Sequence, residues 1–293
     1  MSLTKTLDKT LEGIPTLPER ADQLSKTVHK YVLAGGEPVR SAVDGLHGTW
    51  LGHPLHPLLT DVVIGAWLMG SLFDLLSLKD KSPAAEQAAD TLTIVGALAA
   101  VPTAAAGVAD YSTIPKSAAG TALVHAVVNN ISLSLYVLSW RARKKGQRSL
   151  GILLSLLGFV ILGLGAFLGG HLSFGKNVGV NRTTAATKPS KWTAIVAEAE
   201  LGQHQPKRVE VEGQPWLLYR QGENVYATSA ICPHAEGPLE EGQFCDLKVQ
   251  CPWHNSVFDL RDGRVVHGPS TYPLPHYEAR VRNGKIEVRV PPS

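Results

Sequence analysis

The sequence predicts two domains of different class. An all-α bundle of four membrane-spanning helices is followed by an all-β antiparallel domain, a sandwich or barrel. Three observations predict this. The chain is 293 residues, enough for two domains. Its charged fraction is 18%, below the usual ~25%, and the shortfall lies in one half. From 91 to 140 the only charged residues are Asp110 and Lys116, and from Ser149 to Gly175 there are none, whereas residues 191–293 carry 11 Lys/Arg and 13 Asp/Glu. The overall composition excludes a disordered chain. Three Cys exclude a disulfide scaffold. A net charge of +3 without a long basic tract excludes a nucleic-acid partner.

Residues 1–45 mix charges and contain no apolar run, so they read as a polar tail rather than a signal peptide. Residues 46–172 contain four stretches that match the ~20 apolar residues needed to cross a bilayer. These are Pro57–Leu78, Thr91–Tyr111 with Pro102 inside, Gly120–Trp140 and Leu150–Leu172. Gly and Ala on the second and fourth spans let helices approach closely. Successive spans alternate in direction, so parity gathers His53, His56, His125 and His171 at the end from which the chain leaves the bundle. Ionisable groups in a membrane are costly and have a reason. The preferred reading is a pair of haem b ligands or another metal site, with a quinone or proton site second. Interfacial histidines bonded to backbone and carboxylates are the plain alternative. Asp61 and Asp110 lie at the same end and are expected to orient the imidazoles. Asp74 stands alone near the opposite end and reads as a cap or a helix–helix contact rather than a catalyst. The run His47-Gly-Thr-Trp-Leu-Gly-His53-Pro-Leu-His56-Pro, with Asp61 and Gly-Gly-His171, resembles the bacterial DUF2231 family of four-helix membrane proteins. The resemblance implies a multi-pass protein of the plasma membrane.

Residues 173–190 are polar, rich in Gly, Thr and Asn, and read as a linker. Residues 191–293 alternate apolar and polar residues in short segments. Asp262-Gly263 and Asn283-Gly284 mark hairpins. Within this domain Cys232-Pro-His234 is followed by Cys251-Pro-Trp-His254. Each loop offers one thiolate and one imidazole, whereas a zinc finger pairs like with like. The motif resembles the Rieske [2Fe–2S] family, in which two Cys hold one iron and two His the other. The resemblance extends to Gly237-Pro-Leu239 and to Gly268-Pro269 with Pro273-Leu-Pro275, a segment that covers the cluster in that family.

The resemblance implies that Cys232, His234, Cys251 and His254 bind the cluster. It also gives Ser256 a sulfur-directed hydroxyl and puts Phe258 where high-potential members carry Tyr, so a low-to-intermediate potential is expected. Asn255 stands where many relatives have Gly. Gly237 and Trp253 stand where quinol-oxidising relatives have a second pair of Cys. The domain is thus similar to the ferredoxin and ring-hydroxylating-oxygenase type.

The implied role is one-electron transfer between a redox partner, soluble or membrane-bound, and a cofactor held in the bundle, haem b or quinone. A tethered ferredoxin with a bundle that is only an anchor, and a redox-sensing transporter, are the rival classes. A whole Rieske oxygenase is disfavoured, because no large domain for a mononuclear iron follows residue 293. The bilayer is an expected partner, and a second copy in a homo-oligomer is left open. Two signals for orientation oppose one another. Arg141, Arg143, Lys144, Lys145 and Arg148 put the 141–149 loop in the cytoplasm, whereas the lack of an export signal and of a disulfide points the β domain inward.

Overall fold

The computed structural model describes residues 3–291. The chain divides into two compact units. One comprises residues up to Gly36 together with Pro54–Val178; the other comprises Glu37–His53 and Gly179 onward.

The first unit is helical: α1 (Leu3–Glu12), α2 (Leu17–Ala34), α4 (Leu55–Asp80), α5 (Pro83–Tyr111), α6 (Lys116–Lys144) and α7 (Arg148–Gly170), which ends in a π-turn over His171–Gly175. α4 to α7 are each long and apolar enough to cross a membrane. They extend beyond the apolar runs because their ends are capped or charged. Ser82 accepts the Ala85 amide ahead of Pro83, and α6 continues into Arg141, Arg143 and Lys144. The residues read as a polar tail carry helices. α2 packs on α6 through Ala21, and Tyr111 donates its hydroxyl to the Ala21 carbonyl at 2.7 Å.

Small residues set the packing of the bundle. α6 and α7 run antiparallel and are joined by a ladder in which each rung is one heptad from the next. His125 Nδ1 meets the Gly165 carbonyl (2.9 Å), Ser132 donates to the Gly158 carbonyl (2.9 Å) and Ser139 to the Gly151 carbonyl (2.6 Å). Glycine at each acceptor lets the facing helix come close. At the bundle centre Trp67 and Tyr136 stack with centroids 3.8 Å apart. A Cβ on Gly96 would lie 2.2 Å from Trp67, and one on Gly158 would lie 3.1 Å from Tyr136.

Asp74 makes a contact between helices, as its place in the sequence suggests. Arg143 donates to both its oxygens, at 2.7 and 2.5 Å, and also to Asp90, Ser139 and Ser155. Asp74 and Arg143 are both buried. Arg143 belongs to the basic run at the end of α6, but it turns inward rather than toward the loop.

The second unit contains α3 (Gly36–His47) and ten strands. β1 (Thr193–Ala197), β10 (Lys285–Arg289), β9 (His276–Arg282), β4 (Asn224–Ser229), β3 (Gln214–Gln221) and β2 (Lys207–Val211) form a six-stranded sheet in that order. β5 (Gln243–Cys245), β6 (Lys248–Gln250), β7 (Val257–Asp259) and β8 (Val265–His267) form a second. All the pairings are antiparallel. Asn283 and Gly284 both have positive φ and close a two-residue hairpin between β9 and β10. Asp262-Gly263 turns β7 into β8. Of the residues read as a linker, those up to Val178 stay with the helices, whereas those from Gly179 onward are strapped to this unit. Ala186 is buried in its core, its amide reaches Tyr277, and Arg182 N–H donates to the Pro233 carbonyl.

Truncating one partner of the Asp74–Arg143 pair leaves a buried charge with its poorer partners only, Asp90 for Arg143 and Arg148 with Ser155 for Asp74, and breaking a buried pair costs up to about 3–5 kcal/mol. D74A and R143M are each expected to lower the thermal midpoint of the detergent-solubilised chain. The double variant D74L/R143M should lose less than either single variant.

Candidate metal centre

Two loops of the second unit bring the predicted ligands together. They fold alike. In the first, the Cys232 amide donates to the Gly237 carbonyl and the Glu236 amide to the Cys232 carbonyl. In the second, the Cys251 amide donates to the Ser256 carbonyl and the Asn255 amide to the Cys251 carbonyl. Each closed turn needs left-handed backbone four residues after its Cys. Glu236 and Asn255 both sit at φ 65°. This explains why Asn255 can stand where glycine is usual, since Asn tolerates this region better than most side chains.

The turns sort the side chains by chemistry. Cys232 and Cys251 are buried at the edge of an apolar core formed with Leu239, Val249, Phe258 and Leu274. His234 and His254 are half-buried, with ring centroids 4.9 Å apart and planes nearly perpendicular. Two sulfurs thus face one another on the inner side and two imidazoles on the outer. The hydrogen bond from Cys232 pulls the Cys251 thiol down to about 7 against burial, helped by the Trp253 and His254 amides. The same pairing and burial push Cys232 up, while the His234 and Ala235 amides oppose the shift. A backbone rich in amides aimed at sulfur favours thiolate, the form that binds iron. Two thiols and two imidazoles arranged as two like pairs fit a two-iron cluster. Gly237 makes room for this, because a Cβ there would lie 2.7 Å from Cys251 Sγ.

The surrounding groups hold the loops. Ser256 is fully buried and its Oγ accepts the Ser270 amide at 3.0 Å, tying the second loop to the proline-bearing segment. Phe258 is buried and brings no hydroxyl. Below the loops, Asp259 is buried and bonded to Arg261 and Arg264. The Arg261 hydrogen bonds hold its carboxyl down at about 2, against burial. Asp44, which sequence reasoning missed, accepts from His267 Nδ1 at 2.7 Å and from the Gly268 amide at 2.8 Å. Arg40 donates to the Asn255 carbonyl at 2.5 Å. The helix α3, read as tail, therefore braces the second ligand loop and the proline-bearing segment.

In the first unit the expected group of four histidines divides. His56 and His125 come together, with ring centroids 6.2 Å apart. His171 is occupied elsewhere, its Nε2 being 3.0 Å from Asp8, which also pairs with Lys176. His53 belongs to the segment that goes with the β domain. Backbone carbonyls, not Asp61 and Asp110, meet the paired imidazoles: Thr103 for His56 (2.8 Å) and Gly165 for His125 (2.9 Å). Asp61 lies on an outward face of α4, and Asp110 lies in the last turn of α5.

The comparisons agree with this division of the chain. Residues 191–278 match the family model for the Rieske [2Fe-2S] domain, and residues 52–182 match that for predicted membrane protein (DUF2231). The anthranilate 1,2-dioxygenase ferredoxin subunit of Burkholderia cepacia is 30% identical over 101 residues, 34% of this chain and 94% of that protein. Ferredoxin CarAc of Metapseudomonas resinovorans is 31% identical over 98 residues, 33% of this chain and 92% of that protein. The ferredoxin component of the p-cumate 2,3-dioxygenase system of Pseudomonas putida is 34% identical over 100 residues, 33% of this chain and 80% of that protein.

Two expectations follow from the loops. N255G should preserve cluster content, whereas N255V, strained at positive φ, should lose more than half of it by iron and sulfide assay. Asp259 has its pKa lowered by folding, so its contribution to stability is complete above about pH 4 and is lost as pH falls toward 2. D259N should be less stable at pH 7 and should show a flatter acid-unfolding profile between those values.

Proposed function

We propose that this chain, a member of the Rieske [2Fe–2S] family through its C-terminal domain, is a membrane-anchored one-electron carrier. The carrying observation is the pairing of two buried thiols with two half-exposed imidazoles on two matching turns. Cys232 and Cys251 would hold one iron and His234 and His254 the other. The [2Fe–2S] cluster, when bound, supplies reversible one-electron chemistry. The protein residues do the rest. The apolar core behind the thiols excludes water, and the amides of residues 234, 235, 253 and 254 stabilise negative charge on sulfur. The half-exposed imidazole edges give a redox partner its shortest approach. Ser256 accepts one bond and keeps its own proton to donate toward sulfur, while Phe258 offers none. One such donor rather than two supports a low-to-intermediate potential.

The ferredoxin character of the relatives supports a partner of the oxygenase or reductase class. The membrane half supports a second station. The chain leaves the bundle at the end that bears His56 and His125, and a redox cofactor there, haem b or quinone, would exchange electrons with the carrier. We read the protein as a multi-pass component of a bacterial plasma membrane, working as an electron-transfer protein or as one component of an oxidoreductase.

The test is electron paramagnetic resonance of the purified full chain reduced with dithionite. A rhombic signal from a mixed Cys/His [2Fe–2S] centre is expected, and it should be absent from C232S and H254A. A wild-type chain that binds iron only as a mononuclear site would sink the reading.

A further inference from the structure

The four spans are two copies of one helical hairpin. α4 and α6 correspond at one constant sequence offset, and α5 and α7 at another. On the first helices, His56 corresponds to His125, Trp67 to Tyr136 and Asp74 to Arg143. On the second, Gly96 corresponds to Gly158, Thr103 to Gly165 and Gly107 to Gly169. The contacts repeat with the residues. In each hairpin the His Nδ1 meets the carbonyl of Thr103 or Gly165. In each the ring packs on the glycine one turn further on, 3.0 Å from a Cβ at Gly107 and 3.1 Å from one at Gly169. In each the aromatic residue fills the gap at Gly96 or Gly158. The residue one turn after each His bonds back to that His carbonyl, Thr60 at 2.8 Å and Asn129 at 2.9 Å.

Equivalent residues also meet one another. His56 faces His125, Trp67 stacks on Tyr136, and Asp74 binds Arg143. Contact between equivalents marks a two-fold axis. Because α4 and α6 run parallel, this axis lies along the membrane normal, as in parallel transporter repeats. Two levels of the axis are already closed, one by the aromatic stack and one by the neutralised ion pair. The imidazole level remains.

We propose that His56 and His125 form a symmetric bis-imidazole site that holds the iron of one b-type haem. This rests on the reading of the bundle as carrier of a redox cofactor, and it narrows that reading to one cofactor and two residues. A carbonyl oxygen only accepts, so each Nδ1 carries the hydrogen and each Nε2 bears the lone pair. Asn129 Nδ2 lies 3.2 Å from both ring nitrogens of His125, and it would yield Nε2 to the metal while keeping its bond to the His125 carbonyl. Fixing Nδ1 on a carbonyl is how proteins set a ligating imidazole. Two imidazoles on opposite sides of one metal, each bound at about 2 Å, would put their ring centroids about 6 Å apart, and the observed distance is 6.2 Å. Among the described residues no third His, Cys, Asp or Glu joins them to make a site for a bare ion. A zinc site asks for three or four protein ligands, whereas haem iron needs only two axial ones.

The experiment is the optical spectrum of the purified full chain in detergent, as isolated and after titration with haemin. A pyridine haemochrome assay and the cluster resonance signal are read on the same sample. One low-spin haem per chain is expected, with sharp bands on reduction. The nearly perpendicular ring planes (79°) should give a strongly anisotropic ferric signal. H56G and H125G should each abolish the low-spin bands, and added imidazole should restore them. H53A and H171A should keep them. If the wild-type chain carries its cluster but takes up no haem, or carries an extractable quinone in its place, the haem site is overturned and the electron-carrier reading stands. Low-spin bands that survive both glycine variants would overturn the assignment to this pair. Loss of the cluster signal with haem retained would overturn the carrier reading instead.

Discussion

A polar side chain in the middle of a bilayer has no water to turn to, so the bundle must answer it from within. This constraint organises the whole first unit. Arg143 is answered by two carboxylates and two hydroxyls, and Asp74 by the same guanidinium. Ser132, Ser139 and the two imidazoles are answered by backbone carbonyls. A helix carbonyl already accepts one hydrogen bond but has a second lone pair. Reaching it from a neighbouring helix requires close approach, and glycine at 151, 158 and 165 permits that on α7. The small-residue stripe and the polar groups are therefore one device: each makes the other affordable.

The β domain meets a different demand, that of holding soft and hard ligands side by side. Its solution is two turns of the same shape, each closed by a pair of backbone bonds and each needing left-handed backbone at one position. The turns point sulfur into the core and imidazole outward. The core then sets the thiolate environment through amides and excluded water, while the surface sets access to the imidazoles. Ser256 links the second turn to the proline-bearing segment from within the domain, and α3 holds the same two, with Arg40 on the Asn255 carbonyl and Asp44 on the Gly268 amide.

Much of this was legible in the sequence, for physical reasons. The alternation of Cys and His names two loops and two kinds of ligand without any structure. Charge-free runs near 20 residues name spans, because nothing else tolerates them in such number. Asp262-Gly263 and Asn283-Gly284 announce turns, because few other pairs fit them. What was hidden depended on long-range pairing. Asp44 and His267 lie far apart in the chain, and neither is unusual in its local sequence. Arg143 looked like a loop charge because the apolar run ends at Trp140, although the helix does not. His171 shares an end of the bundle with His56 and His125, but proximity along the normal does not fix which face a side chain takes, and Asp8 claims it. The duplication was hidden because equivalent positions carry unlike residues, Trp opposite Tyr and Asp opposite Arg.

The proposed imidazole site would share one principle of construction with the thiol pair. In each, backbone groups fix the side chain that would bind the metal. At the imidazoles a carbonyl takes the Nδ1 hydrogen. At the thiols, amides stabilise the charge that remains once the proton has gone. In each, a glycine stands against the ligating group where a Cβ would collide: Gly237 against Cys251, Gly107 against His56, Gly169 against His125. Backbone can be brought that close only where the side chain is absent. A backbone-held ligand loses little entropy on binding its metal. That rigidity suits one-electron transfer, and the proposed haem site would have it from helices as the cluster loops have it from strands and turns.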